Sequence, residues 1–157
     1  MKTPISTLLS EKKNCVFSVS PNDTVQVAVL VMNHHHIGSV MVVDEGKLVG
    51  MFTERDVLQR IVAGGLDASI IRISQVMTQE LTTITPATDV NEALELITTR
   101  RLRHLPVIED GNLVGSISIG DIMRFLSDSL EMEVGSLWSY ITGDNSLEVA
   151  DYQLTAR

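Results

Sequence analysis

Gly50-Met51-Phe52-Thr53-Glu54-Arg55-Asp56 occurs a second time as Gly115-Ser116-Ile117-Ser118-Ile119-Gly120-Asp121, at an offset of 65 residues. Each copy follows an apolar run and a glycine-bearing turn, Val40 to Lys47 before the first and Leu105 to Asn112 before the second. The offset holds without a gap from Pro21/Pro86 to Asp56/Asp121. Pro21, Val25, Ala28, Val42, Gly46, Leu48, Val49, Gly50 and Asp56 recur unchanged, and Thr53/Ser118, Asp44/Glu109 and Val43/Ile108 exchange like for like. A fixed self-similar period of this size means one structural unit written twice.

Reading outward from the motif gives the unit. Val16 to Val19 reads as a short strand ended by Ser20-Pro21, and Asp23 or Thr24 can cap a helix from Val25. Val25, Val27, Val29 and Val31 alternate as a strand would, so this helix is ambiguous alone. Its partner resolves it, because Val90, Ala93, Leu94 and Ile97 share one face at helical spacing behind Thr88-Asp89. The runs Val40–Val43 and Leu48–Phe52 form a hairpin across Asp44-Glu45-Gly46-Lys47, matched by Glu109-Asp110-Gly111-Asn112 in the second copy. A helix follows from Thr53 to about Val62 and ends at Gly64-Gly65. The sequence thus predicts an α+β fold of two β-α-β-β-α repeats, over residues 5–65 and 70–128, with a C-terminal helix and tail over 129–157. Ile122, Phe125, Leu130, Val134, Leu137 and Ile141 recur near helical spacing, and Asp144 onward reads as a loose tail. Ile5-Ser6-Thr7-Leu8-Leu9 echoes Ile73-Ser74-Gln75-Val76-Met77, but at an offset of 68, so the first repeat carries three extra residues around Glu11 to Asn14.

Composition limits the functions available. Of 157 residues 44% are hydrophobic and 20% charged, which suits a globular domain rather than a disordered chain. The net charge of −8 argues against a general nucleic-acid or membrane-surface binder. Cys15 is the single cysteine, leaving no internal disulfide and no cysteine-based metal cluster. No apolar run approaches the ~18 residues of a membrane span, and Ile5 to Leu9 is too short and polar for a signal peptide. A cytoplasmic location is the expectation.

Thr-x-x-Asp has two readings. As a helix start, the hydroxyl accepts from the third helical amide and the acid reaches back to the cap's own amide. As a ligand site, a strand end, a glycine, a hydroxyl and a carboxylate beside free helix amides suit a sugar-phosphate. Gly50 and Gly115 would let a ligand approach the backbone, and the carboxylate can accept from vicinal ribose hydroxyls. Arg100, Arg101, Arg103 and His104 make a basic cluster where the first copy has His35, His36, Gly38 and Ser39. A solvated helix end explains Arg101 as readily as phosphate contact does, whereas phosphate contact is the favoured reading of Arg103 and His104. His34-His35-His36 lacks a neighbouring Asp, Glu or Cys at ligand spacing and reads as a solvated helix end rather than a metal site.

Taken together, the chain resembles the cystathionine β-synthase (CBS) domain family, as a stand-alone tandem pair. The resemblance runs from about residue 5 to 126. It rests on Ser20-Pro21-x-x-Thr24-Val25-x-x-Ala28, Ile37-Gly38-Ser39-Val40-x-Val42-Val43-Asp44 and Gly50-x-x-Thr53-x-x-Asp56. The second copy supplies Thr85-Pro86-x-x-Asp89-Val90-x-x-Ala93, Arg103-His104-Leu105-Pro106-Val107-Ile108 and Gly115-x-x-Ser118-x-x-Asp121. It implies two repeats packed through their sheets with pseudo-two-fold symmetry and two clefts between them for adenosine-containing ligands such as AMP, ADP or ATP. Asp56 and Asp121 would hold ribose hydroxyls, with Thr53 and Ser118 close by. Val19, Ile84 and Pro106 would sandwich the base, while Arg101, Arg103 and His104 meet phosphates.

Nothing in the chain matches a phosphate-binding P-loop, a dinucleotide fingerprint or a hydrolase motif. Asp56 and Asp121 occupy equivalent, separate places, a poor arrangement for an acid/base pair. Three functions stay open: a regulatory adenosine-nucleotide sensor acting on an unidentified partner, a constitutive dimeric scaffold without a nucleotide, and, least favoured, an enzyme acting on a nucleotide. Where the second repeat has Glu92 and Glu95, the first has Val27 and Leu30. That makes its helix apolar nearly all round, and predicts a homodimer through Val27, Leu30 and Val31. The competing arrangement covers this face with the C-terminal helix of the same chain.

Overall fold

A computed structural model describes residues 2–12 and 16–142. Cys15, part of the expected insertion and the tail from Asp144 lie outside those residues. The order is α1 (Ile5–Glu11), β1 (Ser18–Val19), α2 (Val25–His35), β2 (Ser39–Asp44), β3 (Lys47–Thr53), α3 (Glu54–Asp56), α4 (Ile73–Val76), α5 (Val90–Thr99), β4 (His104–Glu109), β5 (Asn112–Ser118) and α6 (Ile119–Thr142). The fold is α+β, with the two repeats read from the sequence. Packing divides the chain at Ile122/Met123, and both repeats lie in the first unit except for residues 123–128.

Within the first repeat β1 pairs parallel to β2, and β2 pairs antiparallel to β3. The second repeat builds β4 against β5, while its first strand shrinks to a single parallel bridge between Ile84 and Val107. The hairpin turns match: Glu45 and Gly46 (φ 46° and 79°) correspond to Asp110 and Gly111 (49° and 78°). Positive φ at both central residues gives a turn whose twist suits the strands it joins. The bulges match too, between Val42 and Val43 and between Val107 and Ile108.

The ambiguous segment is a helix, like its partner. Thr24 Oγ1 accepts from the Val27 amide at 3.4 Å, and Asp89 Oδ1 from the Asn91 amide at 3.0 Å. Val25, Ala28 and Met32 are buried on α2, and their partners Val90, Ala93 and Ile97 on α5. The same face points inward in each repeat. α3 departs from the expected regular helix, because Val57–Val62 continue it in the wider π form, with the Ala63 amide on the Leu58 carbonyl at 3.0 Å.

The ends of the repeats are exchanged. The Ile5 and Ser6 amides donate to Thr88 O and Pro86 O (2.8 and 2.9 Å), so α1 docks on the second repeat. The Ile73 and Ser74 amides donate to Asp23 O and Pro21 O (both 2.9 Å), so α4 docks on the first. The four carbonyls are partners at the 65-residue offset, and the four amides are partners at 68. Chain-order boundaries at 5–65 and 70–128 are therefore crossed by the packing. Gly115 and Gly50 are where the exchanged segments press closest. A Cβ at Gly115 would lie 2.5 Å from Leu9 Cδ2, and one at Gly50 2.6 Å from Met77 Sδ. The close approach expected there of a ligand is made by the protein's own side chains.

Among the described residues the second unit is the rest of α6. Its Leu130, Val134 and Leu137 are exposed, and Ser129 Oγ donates to the Phe125 carbonyl at 2.8 Å.

Candidate functional site

Each copy of the Gly-x-x-Thr/Ser-x-x-Asp motif closes a helix cap. Thr53 Oγ1 accepts from the Asp56 amide (3.2 Å), while Asp56 Oδ2 accepts from the Thr53 amide and hydroxyl (2.9 and 2.8 Å). The Ser118 amide and hydroxyl donate to Asp121 Oδ2 (both 2.7 Å), and Ser118 Oγ accepts from the Asp121 amide (3.2 Å). Reciprocal satisfaction of these orphan groups is the capping box. A ligand role therefore rests on what each cap leaves over.

The remainder differs between copies. Asp56 is 7% exposed, and its Oδ1 faces Arg60 Nε at 3.3 Å. Arg60 also donates to the Val76 carbonyl and, at 3.0 Å, to Thr78 Oγ1. Asp121 instead meets Lys12, whose Nζ lies 2.6 Å from Oδ2 and 3.1 Å from the Ser116 carbonyl. All of these bonds fall on Oδ2, and Asp121 Oδ1 takes none of them. Burial pushes the Asp121 carboxyl up, but the Lys12 bond and the two bonds from Ser118 outweigh it and hold the pKa below the ordinary value.

Each carboxylate lines a cavity. The one at Asp121 measures about 380 Å³ and is lined by Lys12, Val16, Phe17, His36, Ile37, Gly38, Ser39, Met41, His104, Ser116 and Ser118 as well. The one at Asp56 measures about 180 Å³ and is lined by Thr53, Glu54, Arg55, Met51, Thr78, Gly38, Arg101, Leu102, Arg103 and His104 besides. The arrangement is crossed, since the basic segment of the second repeat faces the carboxylate of the first. Gly38 and His104 border both cavities. Burial lowers the His104 pKa, reinforced by the charge of Lys12 and then Arg103 and opposed by Asp121. Its Nδ1 is buried without a hydrogen-bond partner.

Thr53, Asp56, Arg101, Arg103 and His104 are thus brought together, and Ser118 and Asp121 join His104 on the other side. Val19, Ile84 and Pro106 border neither cavity. Val19 and Ile84 are 6% and 5% exposed, and Pro106 is buried in β4 opposite Ser116. The apolar lining comes from Val16, Phe17, Ile37 and Met41 around Asp121 and from Met51 and Leu102 around Asp56. The histidine run is more than a solvated helix end. The His35 ring stacks on Phe17 with centroids 3.9 Å apart, and His36 borders the Asp121 cavity. Among the described residues no group of three or more His, Cys, Asp or Glu is placed to hold a metal ion.

Lys12, Phe17, Arg60 and Thr78 went unrecognised in the sequence. Lys12 stands in the three-residue insertion, and Arg60 stands four residues after Asp56 on the same coil, so both left a signal. Thr78 reaches the site through the exchanged segment and left none.

The fold and paired clefts define a tandem module of the CBS type, and the CBS domain family model matches residues 12–63 and 73–128. The chain belongs to the CBS domain family, whose paired domains are regulatory modules. It is similar to the mitochondrial CBS domain-containing protein CBSX3 of Arabidopsis thaliana, 39% identical over 127 residues. That match covers 78% of this chain and spans 62% of the plant protein's length. A putative signal-transduction protein with CBS domains from Burkholderia ambifaria superposes with a TM-score of 0.76 at 31% identity, covering 79% of this chain and 93% of that one. The CBS domain pair of protein MJ0100, solved with methylthioadenosine and S-adenosyl-L-methionine, superposes at 0.73 over 82% of this chain and 99% of that one. At 23% identity its likeness shows the fold. Among the described residues no helix is long and apolar enough to cross a membrane.

Proposed function

We propose that the chain is a regulatory module that binds an adenosine nucleotide in the clefts between its repeats and passes the event to a partner by a change of shape or association. One observation carries the reading. Asp121 borders a cavity with its Oδ1 taking no hydrogen bond from the described residues while Oδ2 is held by Ser118 and Lys12. A free carboxylate oxygen has two lone pairs for vicinal ribose hydroxyls. The cavity falls within the ~300–1,000 Å³ of small-molecule sites, and Phe17, Ile37 and Met41 offer apolar surface to a base. His104, which borders both cavities, and Arg103, which borders the one at Asp56, would supply nitrogen donors to phosphates. The ligands of the MJ0100 domain pair carry the same adenosyl group, which supports the class of ligand.

Self-association belongs to the same reading. Val27 and Leu30 are 40% and 59% exposed on α2, whereas Val31 packs against the core and leaves that face. Calorimetric titration with adenosine, AMP, ADP, ATP and S-adenosylmethionine tests the binding. At least one nucleotide should bind, and Arg103→Ala should weaken ATP more than adenosine, because charge-assisted bonds to phosphate are the strong ones. No binding by any of the five would refute the sensor reading and favour the scaffold.

A further inference from the structure

The two clefts are alike in sequence and unlike in readiness. At Asp56 both carboxylate oxygens are engaged, Oδ2 by Thr53 and Oδ1 by Arg60. Arg60 is itself fixed at three places: Asp56, the Val76 carbonyl and Thr78 Oγ1. A planar guanidinium holds such a set of acceptors in one geometry. For a ribose to take Asp56 Oδ1, Arg60, whose side chain is 40% exposed, would have to leave a carboxylate that is 7% exposed and give up a geometry set by its two other acceptors as well. Asp121 has no such counterpart. The residue 65 positions after Arg60 is the uncharged Phe125. Its cation is instead Lys12, a single ammonium about as exposed as Arg60 (38% against 40%) but bound to the oxygen the cap already uses, which leaves Oδ1 open. The cavity volumes agree, about 380 Å³ at Asp121 against about 180 Å³ at Asp56.

We infer that Arg60 is a specificity-determining residue that closes Asp56 to a ribose, so that each chain takes one adenosine nucleotide, at Asp121. The inference rests on the nucleotide reading above. The Asp56 cleft then keeps Arg101 and Arg103 for anionic groups and contributes no second nucleoside site.

Titration calorimetry with AMP tests this on the full chain. Wild type should bind one AMP per chain, and Asp121→Ala should weaken that binding tenfold or more. Arg60→Met should bind two per chain, and Asp121→Ala/Arg60→Met should regain one. Should Arg60→Met fail to fold, Arg60→Lys replaces it, since a point cation cannot hold the three acceptors together, and a second, weaker site is expected. Two AMP per wild-type chain, or one per folded Arg60→Met or Arg60→Lys chain, would overturn the role of Arg60 while leaving the nucleotide reading intact. Absence of AMP binding in every protein, variants included, would overturn the one-site inference, and absence of binding by adenosine, ADP, ATP and S-adenosylmethionine as well would overturn both.

Discussion

If α1 is exchanged onto the second repeat, Gly115 and Leu9 must be coupled in stability although 106 positions separate them (Gly115 minus Leu9). A Cβ at position 115 would lie 2.5 Å from Leu9 Cδ2 and 3.3 Å from Cδ1, and Leu9 is 6% exposed. Gly115 has an ordinary backbone φ, so alanine there meets the packing and not the backbone. Forcing a methyl into a filled core costs about 1–3 kcal/mol, and Leu9→Ala alone about 2–5 kcal/mol. Leu9→Ala also removes both carbons that the new methyl would strike. In that background Gly115→Ala should cost close to nothing, giving a coupling of about 1–3 kcal/mol between the substitutions. Equilibrium unfolding in urea of the wild type, both single variants and the double variant measures it. Additivity within ~0.5 kcal/mol, the usual result for residues that do not touch, would refute the exchanged packing. The mirror substitution, Gly50→Ala, should be the more severe. There the Cβ also meets the Thr78 carbonyl at 3.1 Å, and that group is tied to Met51 by two reciprocal 2.9 Å bonds.

Lys12→Met should destabilise the chain by less than about 1 kcal/mol at pH 7, because the lysine is partly solvated. The folded Asp121 carboxyl lies below its ordinary value, so its contribution is present above about pH 4 and lost as pH falls further. The gap between Lys12→Met and wild type should close in that range. His104, also lowered in the fold, makes stability fall as pH drops below about 6.5 toward its folded value, and His104→Leu should flatten that slope in denaturant titrations between pH 5 and 8. Val27→Glu/Leu30→Glu should turn a dimer into a monomer by light scattering without unfolding it, since both side chains are exposed on α2. A monomeric wild type, or a double variant that stays dimeric, would remove α2 from the interface.

The repeat made the fold legible, because an amphipathic α5 resolved an α2 whose valines alternate like a strand. Periodicity could not show that α1 and α4 change places, since exchange leaves every local pattern unaltered. That Asp56, Asp121, Thr53, Ser118 and the basic residues before β4 would border clefts was legible. Val19, Ile84 and Pro106, expected around a base, border neither cavity, for a physical reason. Apolar residues at strand ends serve a core as well as a base, and here all three are buried. Gly50 and Gly115 were read as room for a ligand, while the same lack of a side chain is filled by Met77 and Leu9. The inequality of the clefts depends on Arg60 against Phe125, which lie beyond the stretch over which the motifs match.

The ribose contact at Asp121 is the centre of the account, and the ligand itself can test it. AMP and its 2′,3′-dideoxy analogue should be titrated into the wild type and Asp121→Ala by calorimetry. The wild type should prefer AMP tenfold or more, about 1.4 kcal/mol, and Asp121→Ala should bind both nucleotides equally and weakly. Equal affinity of the wild type for the two, or a preference for AMP that survives in Asp121→Ala, would contradict a ribose held by this carboxylate.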